Sequence, residues 1–396
     1  MSAAVPSPAA SDEVASPRGL TITVERTLGG LAAHTAAWEE LAAHAADPNP
    51  FYEPYALRAA LATVSPPQGV EIVLVWAPNP LPKQPAFLVG LFPLVRHARY
   101  KGLPLSTLGT WKHLYAYLGT PLVRTERAAE TLEAFLDWLR DDSGAQLFVW
   151  DTIGSDTAVR HALTDALNHR GLAAFQEERH TRAIFRPASA TEVYLDRSIP
   201  GKKRKELRRQ ERRLAELGPV VFEDAGDPDA WIDEFLALEA RGWKGEGGTA
   251  LKDDPTAHAL FRAYCHGARA RGTWMAMSLR LGGRPIAMKC NLRAGTGALA
   301  FKIAYDEEFA RFSPGVLLEL EHVRRLHEPG APSWVDSGAA AHHPMINHLW
   351  RDRLGIETLI TPTGHTAGTL AVAALPLVRL ARGALRRLRS PRPTKP

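Results

Sequence analysis

The chain has 396 residues, of which 45% are hydrophobic and 23% charged. That balance is globular and excludes a collagen-like, coiled-coil or wholly disordered chain, and the length predicts two domains at roughly 100–200 residues each. The formal net charge is +5, but residues 201–213 hold eight basic and two acidic residues and residues 379–396 hold seven basic residues and no acid. The remainder is therefore net acidic, which excludes a uniformly basic nucleic-acid coat.

Residues 1–19 are rich in Ala, Pro and Ser and read as a disordered leader. They lack the basic start and apolar run of a signal peptide. No charge-free apolar stretch reaches the roughly 18–20 residues of a membrane span. The two cysteines, Cys265 and Cys290, exclude a disulfide framework. Together these features predict a cytoplasmic protein.

Residues 20–187 form the first predicted unit. Strands are expected over 21–25, 70–76, 87–95, 146–150 and 172–177, and helices over 31–45, 55–63, 126–140 and 156–170. Leu132, Phe135, Leu136 and Leu139 fall on one helical face. Asp47-Pro48-Asn49-Pro50 breaks the chain, and Gly171 stops a helix.

Residues 191–362 form the second predicted unit. A basic helix over 201–217 is followed by a strand at 220–223, helices over 228–240 and 255–271, and strands over 274–281, 284–292 and 298–305. Gly282-Gly283 suits a two-residue hairpin turn. A helix over 314–327, a strand at 334–336, a helix over 344–353 and a last strand at 356–360 complete it. The fold class is α/β, mixed with α+β features: helices followed by an antiparallel meander that feeds a further helix.

Three local patterns carry chemistry. On the basic helix, Lys205, Arg208, Arg209 and Arg212 share one arc, and Leu207, Leu214 and Leu217 share the opposite one. A guanidinium-rich face suits phosphates, because arginine donates in pairs; a solvated surface helix is the plainer alternative. Around Arg311-Phe312-Ser313-Pro314-Gly315 a strand runs through a loop into a helix. Ser313 is expected as its N-cap and Pro314 as its first residue, so free N–H groups and the helix dipole there favour a pyrophosphate. Trp243 and Lys244 lie in a glycine-rich loop between helices, which suits closure over a substrate.

Catalytic motifs of other classes are missing: the sequence has no GxSxG, HExxH, CxxC or phosphate-loop lysine motif. His342, His343 and His348 do not make a metal site, since adjacent histidines point apart and no cysteine lies nearby; no metal is expected.

The basic run from Lys202, the Trp243-Lys244-Gly245 loop, Tyr305-Asp306 and Ser313-Pro314-Gly315, in that order, resemble the acetyltransferase family typified by the CelD cellulose-biosynthesis proteins (CelD/BioF-like), a Fem-like branch of the GNAT (Gcn5-related N-acetyltransferase) superfamily. The stretch from Trp111 to Leu122, with Gly119-Thr120-Pro121-Leu122, adds to it, and the similarity covers roughly residues 20–362. The resemblance implies two tandem GNAT-like domains and transfer of an acyl group from acetyl-CoA or another acyl-CoA to an amine or hydroxyl. The acceptor is then a small molecule or polysaccharide precursor. Arg311 to Gly315 depart from the usual GNAT pyrophosphate signature, and Fem-type relatives use aminoacyl-tRNA, so tRNA is the alternative donor. A non-catalytic assembly module for polysaccharide synthesis is the other alternative.

Within this reading Glu239 and Asp336 are the expected bases, Tyr305 the proton donor and Asp306 the holder of the acceptor. Arg311, Ser313, Pro314 and Gly315, with Lys205, Arg208, Arg209 and Arg212, are expected to bind the donor. Trp243, Lys244 and Lys302 are expected to bind substrate, with Lys302 on a phosphate or carboxylate. Residues 367–396 read as a basic amphipathic tail. Leu377, Leu380, Leu385 and Leu388 face one way and Arg379, Arg382, Arg386 and Arg387 the other, with Pro376 starting the helix. Such a face suits peripheral contact with an anionic membrane surface; a disordered basic tail is the alternative.

Overall fold

The computed structural model describes residues 12–15, 19–242, 245 and 247–389. Fourteen strands are described: β1 (Asp12–Ala15), β2 (Thr21–Glu25), β3 (Glu71–Ala77), β4 (Phe87–His97), β5 (Thr107–Thr110), β6 (Leu122–Val123), β7 (Leu147–Gly154), β8 (Phe175–Phe185), β9 (Val220–Asp224), β10 (Trp274–Leu281), β11 (Arg284–Ala294), β12 (Gly297–Tyr305), β13 (Val335–Asp336) and β14 (Asp352–Pro362). They join one sheet in the order β1-β2-β3-β4-β5-β7-β14-β8-β13-β12-β11-β10-β9, with β6 beside β4.

The two halves repeat one plan. In the first, β2 precedes helices Leu28–Ala33, Thr35–Ala43 and Pro54–Thr63. The antiparallel run β3, β4, β5 follows, then helix Ala128–Asp141, strand β7 parallel to β5, helix Ala158–His169 and β8. In the second, β9 precedes helices Pro228–Arg241 and Pro255–Ala270. Then come β10, β11 and β12, helix Pro314–Arg325, strand β13 parallel to β12, the short helix Ile346–Leu349 and β14. Each half therefore has the expected α/β organisation.

The last strands are exchanged. β14 pairs antiparallel with β7 and with β8, and β8 also pairs with β13. The units expected over 20–187 and 191–362 are thus knitted into one continuous sheet. Helix faces follow the apolar spacing. Leu132, Phe135, Leu136 and Leu139 are buried, with Phe135 stacked on Phe92 at 3.9 Å. A larger core packs Trp38, Phe51 and Leu57 of the first half with Phe235, Phe261 and Tyr264 of the second, so burial of aromatic area holds the halves together.

Several boundaries differ from the sequence reading. β1 lies inside the stretch read as a disordered leader. It pairs with β2, because backbone donors and acceptors at a sheet edge accept a strand of almost any composition. The basic helix spans Gly201–Ala215, so Leu217 lies beyond it and is exposed, while Leu207 and Leu214 are buried. The helix expected over 344–353 shrinks to Ile346–Leu349, because β14 starts at Asp352. The C-terminal helix spans Thr366–Arg389 and contains Pro376 rather than starting at it. The alanine-rich turns before Pro376 are good helix formers, and Val372 is buried against Tyr100, Leu147 and Ile360. No helix among the described residues is long and apolar enough to cross a membrane.

Candidate functional site

β12 and β13 run parallel but pair only at Ala298↔Val335 and Leu299↔Asp336. Beyond Leu299 the two chains part. Ile303, Ala304 and Tyr305 then face His343, Pro344 and Met345 across a cleft of about 530 Å³, with Glu239, Gly242 and Glu307 completing the wall. Its inner end is lined by Lys302, Ser337, Glu319 and Lys289. Its outer end shares Pro344 and Met345 with a wider hollow lined by Lys203, Val316, His348 and Arg351. A splayed pair of parallel strands leaves backbone on one edge of β12 without a strand partner, which is the edge an extended ligand needs.

Helix Pro314–Arg325 starts at the cleft. Ser313 is its N-cap with φ +54°, and its hydroxyl makes no cap hydrogen bond. The expected side-chain cap is therefore absent: the left-handed backbone swings Ser313 into the turn, and its carbonyl instead accepts from Val316 and Leu317 N–H. Pro314 and Gly315 are buried. A Cβ on Gly315 would lie 3.6 Å from Tyr305 Cδ1 and 3.8 Å from Met345 Sδ, so Gly315 sits on the cleft wall. Arg311 is exposed and stacks over Phe312. Lys205, Arg208, Arg209 and Arg212 are all exposed, and Arg209 pairs with Glu206 at 2.8 Å. Their helix packs against residues 307–312, which lead into the Pro314 turn, through Leu214 and Phe312, so the basic face is the one left to solvent.

The expected catalytic residues separate into two groups. Glu239 is 4% exposed, lines the cleft and accepts from Leu251 N–H at 2.9 Å. Tyr305 is 39% exposed and lines the same cleft. Asp336 does not reach it. Its carboxylate is taken by Arg182 of β8 and by Gly338 N–H, and it faces a different cavity beside Thr120 and Trp334. Asp306 ion-pairs with Arg284 and caps the turn Glu307–Phe312. Both carboxylates are engaged in the same way, by an arginine that the sheet register places beside them. Trp243 and Lys244 lie outside the described residues.

Lys302 is half-buried at the inner end. Its ammonium lies 4.8 Å from the Tyr115 ring centroid, 5.7 Å from Tyr117 and 5.5 Å from Phe301. Burial pushes its pKa down, with Glu239 opposing. Tyr115 and Tyr117 come from the first half. There, β5 and β7 also run parallel and pair at Thr107↔Leu147, Leu108↔Phe148 and Gly109↔Val149 before they part. The chain that follows β5 returns into the gap between them. Gly119 N–H donates to Thr152 O at 3.0 Å, and a Cβ there would meet Asp151 O at 2.2 Å. Asn49 holds the same segment through Leu118 O and Thr120 O. The first half has thus filled its own gap and turned the filling loop toward the second.

Sequence reasoning missed the network behind the inner end. Lys289 donates to Glu319 at 2.5 Å, His322 Nδ1 lies 3.0 Å from Glu319, and Asn291 Nδ2 lies 2.9 Å from His322 Nε2. All four side chains are buried. Lys289 Nζ also lies 2.8 Å from His322 Nδ1, so lysine, carboxylate, imidazole and amide form one buried network. A signal was present in the sequence, a lysine and an asparagine alternating within an apolar strand and Glu319 and His322 three apart on a helix. Cys265 and Cys290 are both buried, and burial pushes the Cys265 thiol well up, against nucleophilic use. Among the described residues no group of three His, Cys, Asp or Glu side chains is placed to hold a metal ion.

Comparison with known proteins agrees with this geometry. Residues 201–343 match the family described as the acetyltransferase (GNAT) domain. The crystal structure of FemX superposes with a TM-score of 0.54 at 12% identity, covering 83% of this chain and 95% of that one. A conserved protein of unknown function from Bacteroides thetaiotaomicron VPI-5482 superposes with a TM-score of 0.51 at 14% identity, covering 86% and 98%. No curated protein matches the chain. The fold is therefore of the GNAT type, and the cleft lies within and beside the matched residues.

Proposed function

We propose that the protein transfers an acyl group from acyl-CoA, acetyl-CoA in the simplest case, to an amine or hydroxyl. The observation that carries this reading is the parting of β12 from β13 beside the Pro314–Arg325 helix start. An extended pantetheine arm fits along the β12 edge, with its thioester near Ile303. Its pyrophosphate fits at Gly315, where the helix dipole favours an anion and the Gly315 N–H remains after Ser313 O has taken those of Val316 and Leu317. Lys203 adds positive charge at that end, and the exposed arginines of the same Gly201–Ala215 helix add to the field around it.

In the direct reaction the acceptor lone pair attacks the thioester carbonyl carbon, the C–S bond breaks and the electron pair leaves on sulfur. Glu239 takes the acceptor's proton and Tyr305 gives its phenolic proton to the thiolate, both from the wall of one cleft. The order of Trp243-Lys244, Tyr305-Asp306 and Ser313-Gly315 supports a CelD-like branch and an envelope or polysaccharide-precursor acceptor. The test is thiol release from acetyl-CoA with mixed amine acceptors, together with a thermal shift by CoA.

The exposed face of Lys205, Arg208, Arg209 and Arg212 also favours a second reading, in which the donor is an aminoacyl-tRNA. Stabilisation by tRNA with none by millimolar CoA selects that reading. Silence toward both donors selects a non-catalytic assembly module.

A further inference from the structure

We infer that the acceptor carries an anionic group, a carboxylate or phosphate, and that Lys302, at the inner end of the cleft, receives it beside Tyr115 and Tyr117, rings that the first half supplies. This rests on the acyl-transfer reading and adds the acceptor's chemical class and a role for the first half.

Lys302 has no carboxylate of a described residue at salt-bridge distance; its neighbours are the rings of Tyr115, Tyr117 and Phe301, and Glu239 acts on its charge from farther off. Aromatic faces attract an ammonium but leave its N–H donors unused. Glu239 offsets the desolvation of this half-buried ammonium only in part, so its free donors remain available to an anion in the cleft. The neighbouring lysine shows the contrast, since Lys289 has Glu319 at 2.5 Å and is fully satisfied inside the wall.

The placement selects the acceptor over the donor. Lys302 lies at the inner end with Ser337 and Ala300, whereas Gly315, Val316 and Lys203 mark the outer end. The loop over it is rigidly anchored. Tyr117 O accepts from Arg182 at 2.6 Å, and a Cβ on Gly338 would lie 2.7 Å from the Tyr117 ring. On the same loop His113 lies 3.0 Å from Tyr264 Oη, which ties it to the helix Pro255–Ala270. A loop held by both halves is a preorganised wall and not a passing contact.

The test is calorimetry with product-like probes on the full chain saturated with CoA: N-acetylglycine, the N-acetyl derivative of aminoethyl phosphate, and neutral N-acetylglycinamide. At least one anionic probe is expected to bind tenfold or more tighter than the neutral one, and which one binds separates carboxylate from phosphate. Lys302→Met is expected to abolish the preference and Lys302→Arg to keep it, with both variants melting as the parent does. No anion preference in the parent, including no binding by any probe, overturns the inference, as does a preference that survives Lys302→Met. Failure to take up CoA contradicts the acyl-CoA reading instead; the probes are then titrated without CoA, where the same preference is expected.

Discussion

Lys289 Nζ lies 2.5 Å from Glu319 Oε2, with both side chains buried, so a single ion pair ties β11 to the helix whose first turn borders the cleft. Burial alone would raise the Glu319 pKa, but Lys289 and His322 outweigh it and hold the carboxyl at about 2. Glu319→Gln strands the lysine charge in the interior, which typically costs about 3–5 kcal/mol. The expected result is a large drop in the urea midpoint at pH 7. A folded pKa below the unfolded value of 4.5 means that this stability is present above pH 4.5 and is lost as pH falls toward 2. The parent and Glu319→Gln should therefore converge in acid.

Glu53 gives the opposite sign. Burial pushes it up to about 7, Arg271 opposes and Glu39 adds. Below pH 4.5 the group is protonated in both folded and unfolded chains and costs nothing. As pH rises through 7 the folded chain pays on the order of 3 kcal/mol to ionise it or keep its proton. Glu53→Gln should raise the melting temperature at pH 8 and leave it unchanged at pH 4; equal shifts at both values contradict this account.

How much of this was legible beforehand follows from the range of each interaction. The Gly282-Gly283 turn is local chemistry, and the structure has both residues at positive φ, 57° and 84°. Leu207 and Leu214 fall on a buried stripe for the same reason, as does the helix start at Pro314. The exchange of β14 and β8 joins residues such as Ile360 and Val149 that are far apart in sequence, and no short-range pattern encodes it. Asp336 and Asp306 look like free carboxylates along the chain. Only the fold sets Arg182 and Arg284 against them. Tyr115 and Tyr117 stand beside Lys302 because a loop of the first half crosses to the second, which spacing alone does not reveal.

The basic face is expected to act in binding and not in folding. Arg208→Glu combined with Arg212→Glu changes two exposed side chains opposite the leucine stripe. CoA or polyanion affinity should fall, with steeper dependence on salt lost, while the melting temperature stays within about two degrees of the parent, as for surface substitutions generally. Normal binding with a much lower melting temperature makes the face structural.

Gly119 tests whether the first half's gap is filled. Any Cβ there meets Asp151 O at 2.2 Å, so the backbone must shift. Gly119→Ala should destabilise the chain by about 1–3 kcal/mol, the usual cost of overpacking. Because the displaced loop carries Tyr115 and Tyr117, acceptor KM should rise more than donor KM. An unchanged melting temperature contradicts the packing described.

The most direct test of the central claim is a calorimetric titration of acetyl-CoA into the full chain. The account predicts one molecule bound per chain, because the β12–β13 gap is open and the β5–β7 gap is filled by residues 111–121. Two molecules per chain would contradict the filled first half, and no binding at millimolar acetyl-CoA would contradict the acyl-CoA site itself.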